Sequence, residues 1–135
     1  MTMVDIMAAL LARLALVSPT LDVVPENTPY VPVAGRAYMA STLLAAEPAN
    51  PVMGGAFHRD RGLFQVALRF PAGQGAGAAL LHAERVRDAF ARGTTLVAGD
   101  GVVLVTGTPS IGPSHVDADR FTLPLRVAWQ GDSFS

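Results

Sequence analysis

The first apolar run of the chain repeats with the period of an α-helix. Thr2 and Asp5 have the spacing of a capping box, and Pro19 stops a helix at its preceding residues. The pattern therefore predicts a helix over residues 3–17. The apolar positions that recur on one of its faces are Ile6, Leu10, Leu14 and Val17.

The opposite face of this predicted helix has little polar character. It is formed by Asp5, Ala9, Ala12, Arg13 and Leu16. A helix that is apolar almost all round is usually buried on more than one side. The second side is either an alanine-rich outer face of the subunit or a surface covered by another subunit. These five residues are therefore a candidate oligomer interface.

Three segments follow with different patterns. Residues 18–37 contain several prolines, which predict an extended, irregular segment with a short strand at 21–24. Residues 38–46 predict a strand. Residues 63–70 alternate between large apolar and smaller or polar positions, as expected of a half-buried strand.

Residues 47–62 predict a long loop between these two strands. Loops of this length in compact domains are usually functional or disordered. Asp60 is the only acidic residue beside the two arginines of this segment, so we expect an exposed, charged contact loop. Its candidate contact residues are Met53, Phe57, His58, Arg59, Asp60 and Arg61.

A glycine-rich turn separates the 63–70 strand from a second predicted helix at 78–92, with Gly93 as its C-terminal cap. Gly73, Gly75 and Ala78 have the G-x-G-x-x-G/A spacing of a dinucleotide-binding turn. A nucleotide-binding enzyme is therefore one alternative. However, a hairpin signal follows the helix where a parallel strand is required, which favours a plain glycine connection.

The last third of the chain predicts more strands. Residues 95–97 and 102–108 flank the turn sequence AGDG, which is typical of a hairpin. Residues 121–129 predict a strand in which Pro124 requires an edge or a bulge. The order of elements predicts one α+β domain over residues 1–135, with a mixed or antiparallel β-sheet and two α-helices packed on one face.

Composition excludes several classes of function. The chain has 135 residues, a formal net charge of −1, no cysteine and no lysine. Thiolate metal sites, Schiff-base lysines and a globally basic nucleic-acid binder are thus excluded. The apolar start lacks a basic leader and is interrupted by Arg13, so we expect no signal peptide or membrane anchor, and a soluble, non-exported protein.

The remaining polar clusters give weak signals for chemistry. His115, Asp117 and Asp119 alternate like metal ligands, but turn residues favour the same types. His58 and Asp60 have no accompanying nucleophile motif, and His82 is expected on a helix surface. We therefore expect no catalytic residue, no cofactor and no metal.

Three stretches together resemble the tail terminator proteins of phages with long, non-contractile tails, the minor tail protein U-like family. They are PENTPYVPVAGRAYMASTLLAAEPANP at 25–51, RGLFQVALRFPAGQGAGAA at 61–79 and GPSHVDADRFTLPLRVAW at 112–129. The resemblance extends over about residues 2–131. The glycine-rich turn and the proline inside the last strand are both part of the family pattern.

This resemblance implies a structural virion protein without catalysis or cofactor. Such proteins form a homo-oligomeric, hexameric ring that caps the tail tube, stops its polymerisation and docks on the head connector. The implied partners are further copies of the chain, the major tail tube protein and the head-completion protein, with DNA passing through the lumen without specific binding. The implied location is the virion tail of a phage, a prophage or a gene transfer agent, assembled in the host cytoplasm. Another head–tail joining ring protein of the neck is the alternative.

Overall fold

The computed structural model describes residues 1–48 and 57–134. Within them lie two helices and eight strands. In chain order these are α1 (Met3–Val17), β1 (Asp22–Pro25), β2 (Tyr38–Ala45), β3 (Phe57–Pro71), α2 (Gly77–Ala89), β4 (Thr95–Ala98), β5 (Gly101–Val105), β6 (Ser110–Ile111), β7 (His115–Asp117) and β8 (Arg120–Phe134).

The strands form one mixed sheet in the order β1-β2-β3-β8-β5-β4. β1 and β2 are parallel, and every other pair is antiparallel. β3 and β8 pair along their whole lengths. The other side of β8 takes β5, β6 and β7 in succession. The long β3–β8 pair is therefore the central pair of the sheet, on which the other strands are arranged.

Both helices pack on one face of this sheet, which we call the inner face. Strand alternation aims Phe64 and Val66 of β3 and Leu125 and Val127 of β8 at this face. The α+β architecture with two helices on one face is confirmed. The buried side chains of the core are Ile6, Leu10, Leu14, Met39, Phe64, Val66, Leu68, Ala79, Ala83, Val86, Phe90, Ala98, Val103, Val105, Leu123, Leu125, Val127 and Trp129.

The ends of the helices follow from local hydrogen bonds. α1 begins with the predicted capping box between Thr2 and Asp5. α2 ends earlier than predicted, at Ala89, where the N–H of Phe90 donates to the carbonyl of Val86. The prediction that Gly93 caps α2 is wrong. Gly93 has φ +89° in the turn before β4, and its N–H donates to the carbonyl of Val105.

Pro124 is accommodated at an interruption in the pairing of β8, as the edge prediction requires. Its carbonyl accepts from Gly112 N–H, so the nitrogen of the same residue faces that side too. β6 pairs with β8 at residues 125–126 and β7 pairs at residues 120–122. Pro124 lies between these two short pairings, where its missing N–H leaves no ladder bond unmade.

Residues 26–37 form a strap across one end of the outer face, the side of the sheet without helices. Arg120, only 6% exposed, donates from Nη2 to the carbonyl of Val33 at 2.8 Å and from Nη1 to the carbonyl of Arg36. Its guanidinium carbon lies 5.2 Å from the ring centroid of Tyr38. The Tyr38 ring also packs against that of Tyr30 at an interplanar angle of 46°. A buried arginine thus ties the strap to the sheet.

His82 is buried rather than on the helix surface as predicted. It lies on the core side of α2, with 6% of its side chain exposed and its ring 6.0 Å from that of Phe70. Among the described residues, its Nε2 has no hydrogen-bond partner. Burial, and next to it the charge of Arg85, lower the pKa of His82 below 6.5.

This burial predicts a loss of stability in acid. The folded state resists protonation of His82, whereas the unfolded state accepts a proton near pH 6.5, so the free energy of unfolding falls as pH drops below 6.5. We expect His82→Leu to remove part of this dependence in urea unfolding measured across that pH range. His115→Gln, at an exposed histidine, is the control and should keep the parental slope. Equal slopes for the parent and His82→Leu would contradict the prediction.

Candidate interaction surfaces

The structure separates the five predicted interface residues of α1 into two groups. Asp5 accepts a hydrogen bond from the N–H of Thr2, Ala9 packs against the core, and Arg13 Nε donates to the carbonyl of Ala89 at 2.9 Å. These three serve contacts within the chain. Ala12 and Leu16 are exposed, and Leu16 is 76% exposed.

The exposed positions of α1 define a different stripe, which we call the α1 stripe. Its members are Met3, Val4, Ala8, Ala12, Ala15 and Leu16. None of them is charged or polar, and Val4 is 68% exposed. Exposed faces of helices normally carry charged or polar side chains, so this face is unusual for a surface left to water. Sequence periodicity located the helix correctly but placed Asp5 and Arg13 on its outer face. It did not show that Asp5 bonds with Thr2 in the capping box, or that Arg13 reaches the carbonyl of Ala89 on α2.

The second predicted site lies in a strand instead of a loop. β3 begins at Phe57 and pairs with β8 beyond the last residue of β2, so residues 57–61 and 130–134 form an antiparallel ribbon, which β5 still flanks at residues 130 and 131. His58, Arg59, Asp60 and Arg61 lie in this ribbon, which corrects the loop prediction for them. The backbone of Phe57 also belongs to the ribbon, whereas Met53 lies outside the described residues.

Charges in the ribbon are partly neutralised across the strands. Arg59 donates to both carboxylate oxygens of Asp132, at 2.7 and 3.2 Å, and this bond raises the pKa of the Arg59 guanidinium above its usual value. The expectation that only Asp60 lies near the arginines is therefore wrong. Oδ2 of Asp60 lies 3.4 Å from Nε2 of His58. Arg61 donates from Nε to the carbonyl of Glu47.

A groove of about 450 Å³ lies beside the ribbon, lined by Met1, Asp100, Gly101, Val102, Leu104, Gln130 and Asp132. Its two carboxylates already have partners. Asp100 accepts from the Met1 amino group, which lowers the pKa of Asp100, and Asp132 binds Arg59. Both carboxylates that line the groove in the described part of the chain are therefore already paired.

The glycine-rich turn between β3 and α2 does not lie in a β-α-β unit. α2 leads into the β4–β5 hairpin, and β3 and β4 are not neighbours in the sheet. Gly73 and Gly75 have φ values of +84° and +77°, a backbone conformation that explains the two glycines without a ligand. The turn therefore lacks the following parallel strand that a dinucleotide-binding turn requires.

The HVDAD stretch forms β7 and the tight turn into β8. His115 and Asp117 belong to the strand, whereas Asp119 lies in the turn, where its carbonyl accepts from the N–H of Ala72. Across residues 1–48 and 57–134, no cluster of three or more histidine and acidic side chains has the arrangement of a metal site.

A family model described as "Phage tail terminator protein" matches residues 5–129. The chain belongs to this family. It is therefore a structural protein of a virion tail, in keeping with the resemblance found in the sequence. None of the curated proteins matches the chain. In the described part of this tail terminator family member, no helix is long and apolar enough to cross a membrane.

Solved structures share the fold of this tail terminator family member. One is 24% identical, covers 97% of this chain and 96% of its own, and has a TM-score of 0.79. Another comes from the virion of a native gene transfer agent particle. It is 22% identical, covers 93% of both chains, and has a TM-score of 0.64. At these identities the likeness concerns the fold alone.

Proposed function

We propose that copies of this chain form a ring that caps the tail tube, stops its polymerisation and provides the surface on which the head connector docks. Membership of the tail terminator family supports this function, and so does the likeness to a chain of a gene transfer agent virion. The observation that carries the proposal is the α1 stripe, because an uncharged exposed helix face is suited to contact between subunits.

The subunit contact of such a ring uses two different surfaces on each copy. In a head-to-tail ring, a patch on one copy meets another patch on the next, and the rotation closes the series. We assign one of these patches to the α1 stripe, centred on Ala12 and Leu16. Asp5, Ala9 and Arg13 support this patch indirectly, because their contacts within the chain hold α1 in position.

Termination follows from a difference between the two ends of the ring. Tube growth requires that each added ring offers the same mating surface again. A ring whose one end matches the tube, and whose other end does not repeat the tube surface, leaves nothing for the next tube ring to bind. Growth then stops without any catalytic step or cofactor.

The ribbon is the proposed contact with the tube or the connector. It extends past the end of β2 and carries His58, Arg59, Asp60 and Arg61 on paired strands. Alternation places Arg59 and Arg61 on one side and His58 and Asp60 on the other. Charged groups on a defined ribbon suit a partner with complementary charges, while DNA passes through the lumen without specific binding.

Electron microscopy of particles that lack this protein tests the function. We expect overlong tails without attached heads, and restoration of normal length when the protein is supplied. Purified protein mixed with tail tubes should appear as a ring at the tube end. Normal-length tails beside full heads would instead indicate a head–tail joining protein of the neck, and would contradict the proposal.

The double variant Ala12→Glu with Leu16→Glu tests the subunit contact. Both side chains are exposed, so folding stability should change by less than about 1 kcal/mol. Ring formation on tube ends should be lost, because each interface would bury unpaired carboxylates. Leu81→Glu, at an exposed leucine of α2, is the matched control and should still form rings. Rings formed by the α1 double variant would remove the α1 stripe from the interface.

A further inference from the structure

β4 forms one edge of the sheet, and in the described part of the chain no strand pairs with its outer side. Its sequence, Thr-Leu-Val-Ala, contains no charge and no proline, and Val97 is 79% exposed. Proteins normally protect sheet edges with charges, prolines or covering segments. Among the described residues, β4 carries no charge and no proline, and α1 packs against it from the inner face.

The opposite edge of the sheet is guarded. β1 contains Asp22 and Pro25, and both an acidic side chain and a proline hinder pairing with another strand. Tyr30 donates from its hydroxyl to Asp22, and Arg36 donates to the carbonyl of Thr20. The strap is therefore hydrogen-bonded to this edge. As a result, β1 is less available than β4 for pairing with a strand of another molecule.

The hydrogen bonds of β4 show which of its backbone groups are free. Val105 N–H donates to the carbonyl of Thr94, so Thr94 faces β5. Backbone groups of alternate residues point to opposite sides of a strand, so Leu96 and Ala98 also face β5. The N–H and C=O groups of Thr95 and Val97 consequently point away from the sheet.

We propose that this edge pairs with β4 of a second copy, antiparallel, across a two-fold axis that passes beside Leu96. In this register Thr95 of each copy lies opposite Val97 of the other, and these are the residues with free groups. Each such pair exchanges both of its N–H···O bonds. The two Leu96 side chains meet on the inner face, next to the helices.

A second copy fits this edge better than an extended peptide does. Its β4 is already held as a strand by β5, so pairing costs little ordering entropy, whereas a flexible peptide must be ordered on binding. The partner edge is equally uncharged. The guarded β1 edge offers no such match. The short strand limits the number of bonds, so we expect a weak, concentration-dependent dimer.

This dimer is independent of the proposed ring. A two-fold contact uses the same patch on both copies and closes at two subunits, whereas a ring contact is head-to-tail. The β4 edge and the α1 stripe share no residue. It therefore describes the chain away from the tube end, and its failure would leave the terminator function untouched.

Val97→Pro and Val97→Thr are a matched pair for the test. Proline at 97 removes an N–H that points away from β5, so it deletes two bonds of the dimer, one from each copy, and none of the β4–β5 ladder. Threonine keeps that N–H on a side chain of similar shape. In sedimentation velocity up to about 1 mM protein, parent and Val97→Thr should dimerise and Val97→Pro should remain monomeric.

Amide hydrogen exchange on the parent chain provides a test that needs no variant. The Thr95 and Val97 amides should be slow to exchange at high protein concentration and fast on dilution, whereas the Val105 amide should be slow in both. A parent that stays monomeric, a dimer in which Thr95 and Val97 exchange rapidly, or equal dimerisation of the proline and threonine variants would each overturn the proposal. Protection of these amides only on tube ends would assign the edge to a strand of the tube and would also overturn it.

Discussion

Gly62→Ala is expected to lower the free energy of unfolding by about 3–5 kcal/mol, a large share of the total for a domain of this size. A Cβ at this position would lie 2.0 Å from the carbonyl oxygen of Leu44 and 3.0 Å from Cζ2 of Trp129. Neither neighbour can yield easily. Leu44 belongs to a paired strand, and Trp129 is a fully buried core residue.

The location of Gly62 makes this strain costly. It lies in the middle of β3, paired with Ala45 of β2 on one side and with Trp129 of β8 on the other. To admit a methyl group, β2 must move away from β3 or the indole must leave its place in the core. Both displacements break contacts along the strand pair that organises the sheet.

Urea unfolding of the variant beside Gly107→Ala gives the measurement. Gly107 has open space where a Cβ would lie, so its alanine variant should stay within about 0.5 kcal/mol of the parent. The unfolding midpoint of Gly62→Ala should shift while its dependence on urea concentration stays the same. A midpoint equal to that of Gly107→Ala would show that β2 adjusts freely at this point.

Arg120→Met is expected to cost about 2–4 kcal/mol and to loosen the strap. Methionine has a similar length and tolerates burial, so the change mainly removes the hydrogen bonds to Val33 and Arg36 and the cation–π contact with Tyr38. The two carbonyls then find donors only if the strap moves out to water. Hydrogen exchange should therefore accelerate in residues 26–37 more than in the helices.

Arg126→Met provides the comparison for this second variant. Arg126 lies on the same face of the same strand, but it is exposed. Its loss should change stability by less than about 0.5 kcal/mol and leave exchange in the strap unaltered. Equal effects of the two substitutions would contradict the role given to Arg120.

Local patterns predicted the elements whose stability depends on neighbours in the chain. The capping box and the apolar period defined α1 to the residue, and the AGDG turn located the β4–β5 hairpin. His82 could also have been assigned from its sequence. It falls three residues after Ala79 and four before Val86, on the buried stripe of α2. Because histidine is polar, His82 was not counted among the apolar positions that mark the buried face of α2.

Contacts between distant segments decided the features that the patterns did not show. Residues 57–61 read as a loop because they lack apolar alternation, yet pairing with the end of β8 makes them a strand. Arg59 and Asp132 are far apart in the chain and form an ion pair only through that register. The burial of Arg120 likewise depends on a strap that crosses the sheet from another part of the chain.

The sequence by itself determined the α+β class, the two helices, the hairpin and the resemblance to tail terminators, because these depend on periodicity, caps, turns and ordered motifs. Tertiary structure alone decided which face of α1 is exposed, which edge of the sheet is unguarded and which charges are neutralised. The physical reason is that solvent exposure and ion pairing depend on which two segments come into contact. The sequence of one segment does not identify the other. The surfaces through which this protein can assemble are of that kind.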